Sequence, residues 1–427
     1  MQILDRRRFL TLSTAAALTA RSTFAQAPAN HASDAFAMVA AADHDRIMRL
    51  AGHWLNEPPQ TITSFPSPKS PGTPHDYFSE ADYFWPNPAN PTGPYKEIDG
   101  KSNPDNFQDH RRALIRLSQA VPALAAAYRL TRQEQYVKAA AAHLLAWFVT
   151  PATRMNPNLQ YSQGFHNGPT GRSYGIIDTL HLVEVARAAA ILRDYFMPMQ
   201  WTPLLAWFHE YLGWMKTSEF GIKERDATNN HGICWALQAA EFARLLTDED
   251  TRTEVRDRFL NVQLPGQMAP NGSFPRELAR TKPYGYSIFN FDAASTLCWS
   301  LSSLDAKHLS YGPTTTPGAP RLASETWVSQ DIATDPGALI RYTLPTGQSV
   351  CQAAAFLTPY LADKSTWPYP HDVQHWDSWP VRSPGLLFCG VACNKPDYLT
   401  LWKHLDPDPT DPEIIRNYPI RQPILWV

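Results

Sequence analysis

The stretch ATNNHGICWALQAAEFARLL, Ala227 to Leu246, sets the reading of the whole chain. Its apolar residues recur at three- and four-residue spacing, the period of an amphipathic helix. Its mouth is polar: Thr228, Asn229, Asn230 and His231 stand together before the apolar run. Capping accounts for part of this, because Asn or Thr at a helix start accepts a hydrogen bond from a free backbone N–H. A cap uses one side chain. The second Asn and the His are surplus, and the rest of the chain has to say what they are for.

The same period recurs outward from this segment, in His110–Leu130, Glu134–Val149, Gly175–Phe196, Trp201–Lys216, Thr251–Leu264, Ser287–Leu304, Ser349–Leu361 and Ser383–Ala392. Strand-like alternation is scarce. Pro151, Pro157, Pro265, Pro275, Pro283, Pro368 and Pro370 fall between the helical segments, where proline punctuates. Helices in hairpins with long Pro- and aromatic-rich connections predict an all-α fold. The layout expected is an α/α toroid, an incomplete (α/α)6–7 barrel with long loops walling a central cleft. A solenoid would show a repeat of fixed period, and none is present. No shift in composition marks a linker, so residues 28–427 are expected to form one domain.

The first 27 residues read differently. Asp5–Leu10 is DRRRFL, Phe9–Ala20 is a modest apolar run, and Ala25-Gln26-Ala27 offers small residues for cleavage. That is a twin-arginine-like signal peptide and places the mature protein in the periplasm or outside the cell. No other stretch approaches the ~18 apolar residues of a membrane span. A formal net charge of −2 gives no basic face for nucleic acid. Five scattered cysteines do not make a disulfide framework and read as buried small hydrophobes. The loop Trp367–Trp379, with His371, His375 and Asp377, reads as a cleft wall in preference to a metal site. The long connection Asp76–Phe107 is too rich in aromatics for disorder and reads as an ordered lid or wall.

Phosphate loops, GxSxG elbows and HExxH are all missing. Two further polar clusters precede helices. Ser273–Ala293 places Arg276 and Arg280 before Tyr284 and Tyr286. Met155–Thr179 holds Asn158, Tyr161, Gln163, His166, Asn167 and Arg172. In a toroid such loops converge on one end of the cleft. Asn, His, Arg and Tyr without cofactor or metal suit β-elimination on a 4-linked uronic acid. Its C5 proton lies beside a carboxylate, so donors must take up charge on the carboxylate oxygens, as an oxyanion hole does. A tyrosine eased toward phenolate by an arginine can then take the C5 proton and return one to the leaving O4.

At this point the sequence resembles the alginate-lyase-like polysaccharide lyases of α/α-toroid fold. The resemblance runs from the WPNP loop at Trp85, through MNP…GR…GIID at Met155–Asp178 and the NNH of Asn229–His231, to NYPIRQPILW at Asn417–Trp426. It implies that Asn230 and His231 neutralise the substrate carboxylate, with His231 also a base for one sugar epimer. It makes Tyr286 the catalytic base and acid and Arg280 the group that holds its phenolate. Tyr284, in PYGYS, is the rival for that role. His166, Asn167, Arg172, Gln163, Tyr284, Trp85 and Tyr95 are the substrate-binding candidates. The implied partner is an anionic polysaccharide, mannuronate-rich alginate first and glucuronan second, with no cofactor. An inverting glycoside hydrolase and a non-catalytic periplasmic glycan-binding protein are the alternatives.

Overall fold

The computed structural model describes residues 31–302, 335–418 and 420–427. The signal-peptide segment lies outside them. The chain is an α/α toroid. Its principal helices are α1 (His31–Trp54), α2 (Asp109–Thr131), α3 (Glu134–Phe148), α4 (Leu182–Ile191), α5 (Pro198–Thr217), α6 (Glu219–Arg225), α7 (Asn230–Leu246), α8 (Glu249–Arg258), α9 (Pro283–Ser302), α10 (Val350–Ala362), α11 (Pro384–Ala392) and α12 (Pro396–His404). Among the described residues, no helix is long and apolar enough to cross a membrane.

Helices α2, α4, α7, α9 and α11 touch in succession and form the inner row, while α3, α5, α8, α10 and α12 pack against them. The inner row is built for close approach. In α2 the run Ala123–Ala127 is fully buried, letting backbones come together without large side chains between them. The helix ends where Arg132 takes the left-handed conformation at φ 60°.

Helix α7 departs from the amphipathic expectation, since every residue from Gly232 to Leu245 is buried. Its polar side chains are satisfied internally. Gln238 accepts from Thr179 and donates to the Ile176 carbonyl, and Glu241 pairs with Arg187 and Arg244. Those two cations outweigh burial and hold Glu241 at about 2. A period of 3.6 marks a helix but does not separate one wet face from two dry ones when the polar residues find partners. The first helix, α1, is not among the segments that the apolar period marks in the sequence.

The expectation for the cysteines is corrected. Cys351 on α10 and Cys393 at the end of α11 form a disulfide, closing a separation of 42 residues, while Cys234, Cys298 and Cys389 are free and buried. The partners lie on different helices, which spacing along the chain does not reveal.

The chain closes on itself at the end. Residues 423–425 pack between α1, α2 and α4. There the buried Glu184 accepts from the backbone N–H groups of Arg421 and Gln422 and from the Trp426 indole at 3.1 Å. The Arg187 guanidinium lies 3.9 Å from the Trp426 ring.

The Asp76–Phe107 connection is ordered. Its strand β1 (Phe78–Glu80) pairs in parallel with β4 (Tyr161–Gly164), and β2 (Phe84–Trp85) pairs antiparallel with β3 (Lys96–Glu97). These four short strands stand over the inner helices as one wall of a cleft.

Candidate active site

The polar mouth of α7 is one corner of that cleft. Asn229 is the N-cap residue by backbone geometry, but its side chain makes no capping bond. The free N–H of Asn230 is taken by Glu277, from the turn Pro275–Leu278, at 2.7 Å, and the Asn230 side-chain amide donates to the same carboxylate at 2.8 Å. A neighbouring turn therefore caps the helix, which releases the Asn229 amide to the cleft. His231 places its Nδ1 2.5 Å from Glu224 Oε1 and meets the Tyr174 ring edge-on at 4.9 Å. Gly232 follows for a steric reason. A Cβ there would lie 2.3 Å from the Ala227 carbonyl oxygen, so only glycine lets the turn fold back on the helix.

Tyr286 sits in the first turn of α9. Asp372, from the Trp367–Trp379 loop, accepts the N–H groups of Tyr284 and Gly285 and caps this helix. A Cβ on Gly285 would lie 2.8 Å from Asp372 Oδ2, which fixes the glycine between the two tyrosines. The Tyr286 hydroxyl lies 2.7 Å from that of Tyr83 and 3.5 Å from the Arg280 guanidinium, which also lies 4.5 Å from its ring centroid. Arg280 is shared, since its main bond, at 2.6 Å, is to Asp99. Burial first, and Tyr83 second, push the Tyr286 phenol well above its ordinary value, with Arg280 pulling it back. The expected easing toward phenolate is thus present as a pull that burial outweighs.

Beneath lies a layer of paired charges. Asp82 is held by Arg111 at 2.7 Å and by Arg416, Arg111 also reaches Asp178, and Glu413 bridges Lys282 and Arg416. Burial opposes it, but the Arg416 and Lys282 cations keep Glu413 down at about 2. Gln163 donates to Asp178 at 2.9 Å, and Arg172 leans across Phe84 with its Nε on the Gln163 carbonyl. The cleft has a volume of about 280 Å³, and its lining includes Asn229, Asn230, His231, Arg172, Arg280 and Tyr286.

Gln163, Arg172, Asn230, His231, Arg280 and Tyr286 are therefore brought together. The other candidates are not in the lining. Tyr284 is fully buried, donating its hydroxyl to the Tyr360 carbonyl at 2.8 Å and packing on Trp367 and Trp376. That places it in the core, outside the lining that Tyr286 shares. The Trp85 indole donates to the Lys101 carbonyl, Tyr95 and His166 rest on each other at 5.1 Å, and Asn167 donates to Thr92. These four hold the outer loops together, a job their polar and aromatic character fits as well as it fits a sugar. In the Trp367–Trp379 loop, His371 stacks on Trp376 and His375 bonds Asp411. Sequence reading missed Tyr174, Glu224, Glu277 and Arg416. Tyr174 and Glu277 stand inside the polar clusters already noted and Glu224 seven residues before His231, but nothing local says that these side chains turn toward the site, and Arg416 comes from a distant segment.

A helical toroid with a cleft of donors facing a tyrosine, and with most of its carboxylates already paired, defines a polysaccharide lyase. The sequence profile of the alginate lyase family matches residues 61–319, and the chain belongs to that family. An alginate lyase structure from Bacteroides ovatus is 28% identical, with 93% of this chain and 98% of that one covered at a TM-score of 0.73. Two tetrasaccharide complexes of alginate lyase A1-III share 14% and 13% identity over 83% of this chain and 84% of theirs. Their TM-score of 0.47 marks a weak likeness. No curated protein matches the sequence.

Proposed function

We propose that the protein cuts 4-linked polyuronates by β-elimination, with mannuronate-rich alginate the first substrate and glucuronan the second. The observation that carries this reading is the shared cleft of Tyr286 and the Asn229–Asn230–His231 corner. A uronate carboxylate placed at that corner meets the Asn229 and Asn230 amides, with the Arg172 cation in the same lining and His231 beside them. Tyr286 removes the C5 proton, a carbon–carbon double bond forms between C4 and C5, and the C4–O4 bond breaks. The same phenol returns the proton to O4. Arg280 favours the phenolate against the burial that opposes it.

The hydrolase alternative needs two free carboxyls about 6.5–9.5 Å apart. In this cleft Asp82, Asp99 and Asp178 are each committed to an arginine, which leaves Glu97 alone on the rim. Mixing the protein with pure polymannuronate, polyguluronate and glucuronan and following ultraviolet absorbance of the unsaturated uronate tests the proposal. Reducing ends without that absorbance would mean hydrolysis, and neither signal would mean binding only.

We further propose export. The leader at residues 1–27 motivates it, and the Cys351–Cys393 disulfide suits an oxidising compartment. Terminal sequencing of protein recovered from the periplasm should begin after Ala27, and an uncleaved cytoplasmic product would refute it.

A further inference from the structure

The mechanism above leaves one buried acid unused. Glu224, at the end of α6, is 1% exposed and, among the described residues, has no Lys or Arg within ion-pairing distance, its one close partner being the ring of His231. Its Oε1 lies 2.5 Å from His231 Nδ1, and its Oε2 is buried with no hydrogen-bond partner. Buried carboxylate oxygens are seldom left unpartnered, so one that persists calls for a functional account.

We infer that Glu224 is a positioning residue that fixes the tautomer of His231 and so decides what this histidine offers the substrate. The 2.5 Å contact holds one hydrogen between the two atoms, and with the carboxylate as acceptor that hydrogen sits on Nδ1. In the neutral ring the other nitrogen, Nε2, then carries a lone pair and no proton. His231 lines the cleft, and its ring bond among the described residues is made through Nδ1. The Tyr174 ring packs against its side, and a half-turn that exchanged the two nitrogens would give up the Glu224 bond. His231 is therefore presented to the sugar as a proton acceptor. As a neutral ring it cannot donate to the uronate carboxylate, and that task falls to the Asn229 and Asn230 amides and to Arg172.

This inference rests on the lyase reading for its consequence but not for its geometry, and the two are tested separately. In protein labelled with ¹⁵N at histidine, the His231 ring nitrogens should report hydrogen on Nδ1 with Nε2 bare. In Glu224→Gln the carboxamide oxygen accepts the same Nδ1–H, so the tautomer and most of kcat should survive. In Glu224→Ala the tautomers should mix. Removing the group that orients a functional histidine typically costs 10–100-fold, so kcat should fall by roughly that factor with KM little changed. Hydrogen on Nε2 in the unaltered protein would overturn the inference. So would a folded Glu224→Ala with undiminished kcat, or a Glu224→Gln as inactive as Glu224→Ala while keeping the Nδ1–H tautomer. Failure of the unaltered protein to release unsaturated product from any polyuronate would sink the lyase reading and leave the tautomer result standing.

Discussion

Two tyrosines two positions apart have opposite surroundings, and that contrast makes the sharpest test of the site. Tyr286→Phe removes the only hydroxyl on α9 in the cleft and should lower kcat roughly 10²–10⁴-fold, the usual worth of a positioned acid–base group, with the fold intact. Tyr284→Phe strips a core hydroxyl from the Tyr360 carbonyl and should cost about 1–2 kcal/mol of stability by chemical denaturation while leaving kcat alone. The reverse pattern would reassign the base. Because the Tyr286 phenol is held above its ordinary value and must ionise to act, kcat/KM should climb toward alkaline pH. Arg280 opposes that upward shift, so Arg280→Ala should move the rising limb to higher pH. A limb that stays put would show that Asp99 already absorbs the guanidinium's charge. The sequence displayed these side chains but not their surroundings. Nothing in PYGYS says which ring meets Trp367 and which meets Tyr83, because both neighbours come from segments more than eighty residues away.

At the scale of the element, the mouth of α7 depends on a residue with no side chain. Gly232→Ala must displace the Ala227 carbonyl, and with it the turn that carries Asn229. Lost activity should therefore accompany a lowered Tm, and neutrality in both would mean the turn has slack. The helices themselves were legible: Asn230–Leu246, Glu134 onward and the segment ending at Ala392 appear in the structure with nearly the bounds their periodicity suggests. The π-helical turn Phe259–Gln263, which extends α8, was not, because nothing in an apolar period distinguishes five residues per hydrogen bond from four. The clusters ahead of the helices were half legible. Polar residues bunched before α7 and α9 do reach the cleft, whereas His166 and Asn167, equally polar, serve their own loop. Composition marks a loop as polar, and only the fold says which way it faces. The Cys351–Cys393 bridge ties the α10–α11 hairpin that encloses Asp372, the cap of α9. Replacing both cysteines with serine should cost about 3–4 kcal/mol on the loop-entropy estimate for a closure of this length, read as a lower midpoint in denaturant.

For the whole molecule, buried charge sets the pH range of stability. Asp292 on α9 is fully buried, and burial lifts it to about 7, against hydrogen bonds from Ser383 and the Gly385 N–H that favour ionisation. A folded pKa above the unfolded one means that the native state holds the extra proton. Stability from this group is full below about pH 4 and lost as pH rises through 7. The loss is on the order of 4 kcal/mol. Asp292→Asn keeps the acceptor without the titration and should flatten that decline. An unchanged stability profile between pH 5 and 8 would place the proton elsewhere.

The toroid is latched by residues from the far side of the sequence. Among the described residues Glu184 receives its hydrogen bonds from Arg421, Gln422 and Trp426, and the indole of Trp299 donates to the carbonyl of that same Trp426. Without those residues α4 holds a buried acid that nothing satisfies, and such a group costs stability. A chain cut short before Arg421 should therefore be left as an open arc, read as faster proteolysis and a lower Tm, and a cut chain as resistant as the whole one would mean that the ring closes without its latch.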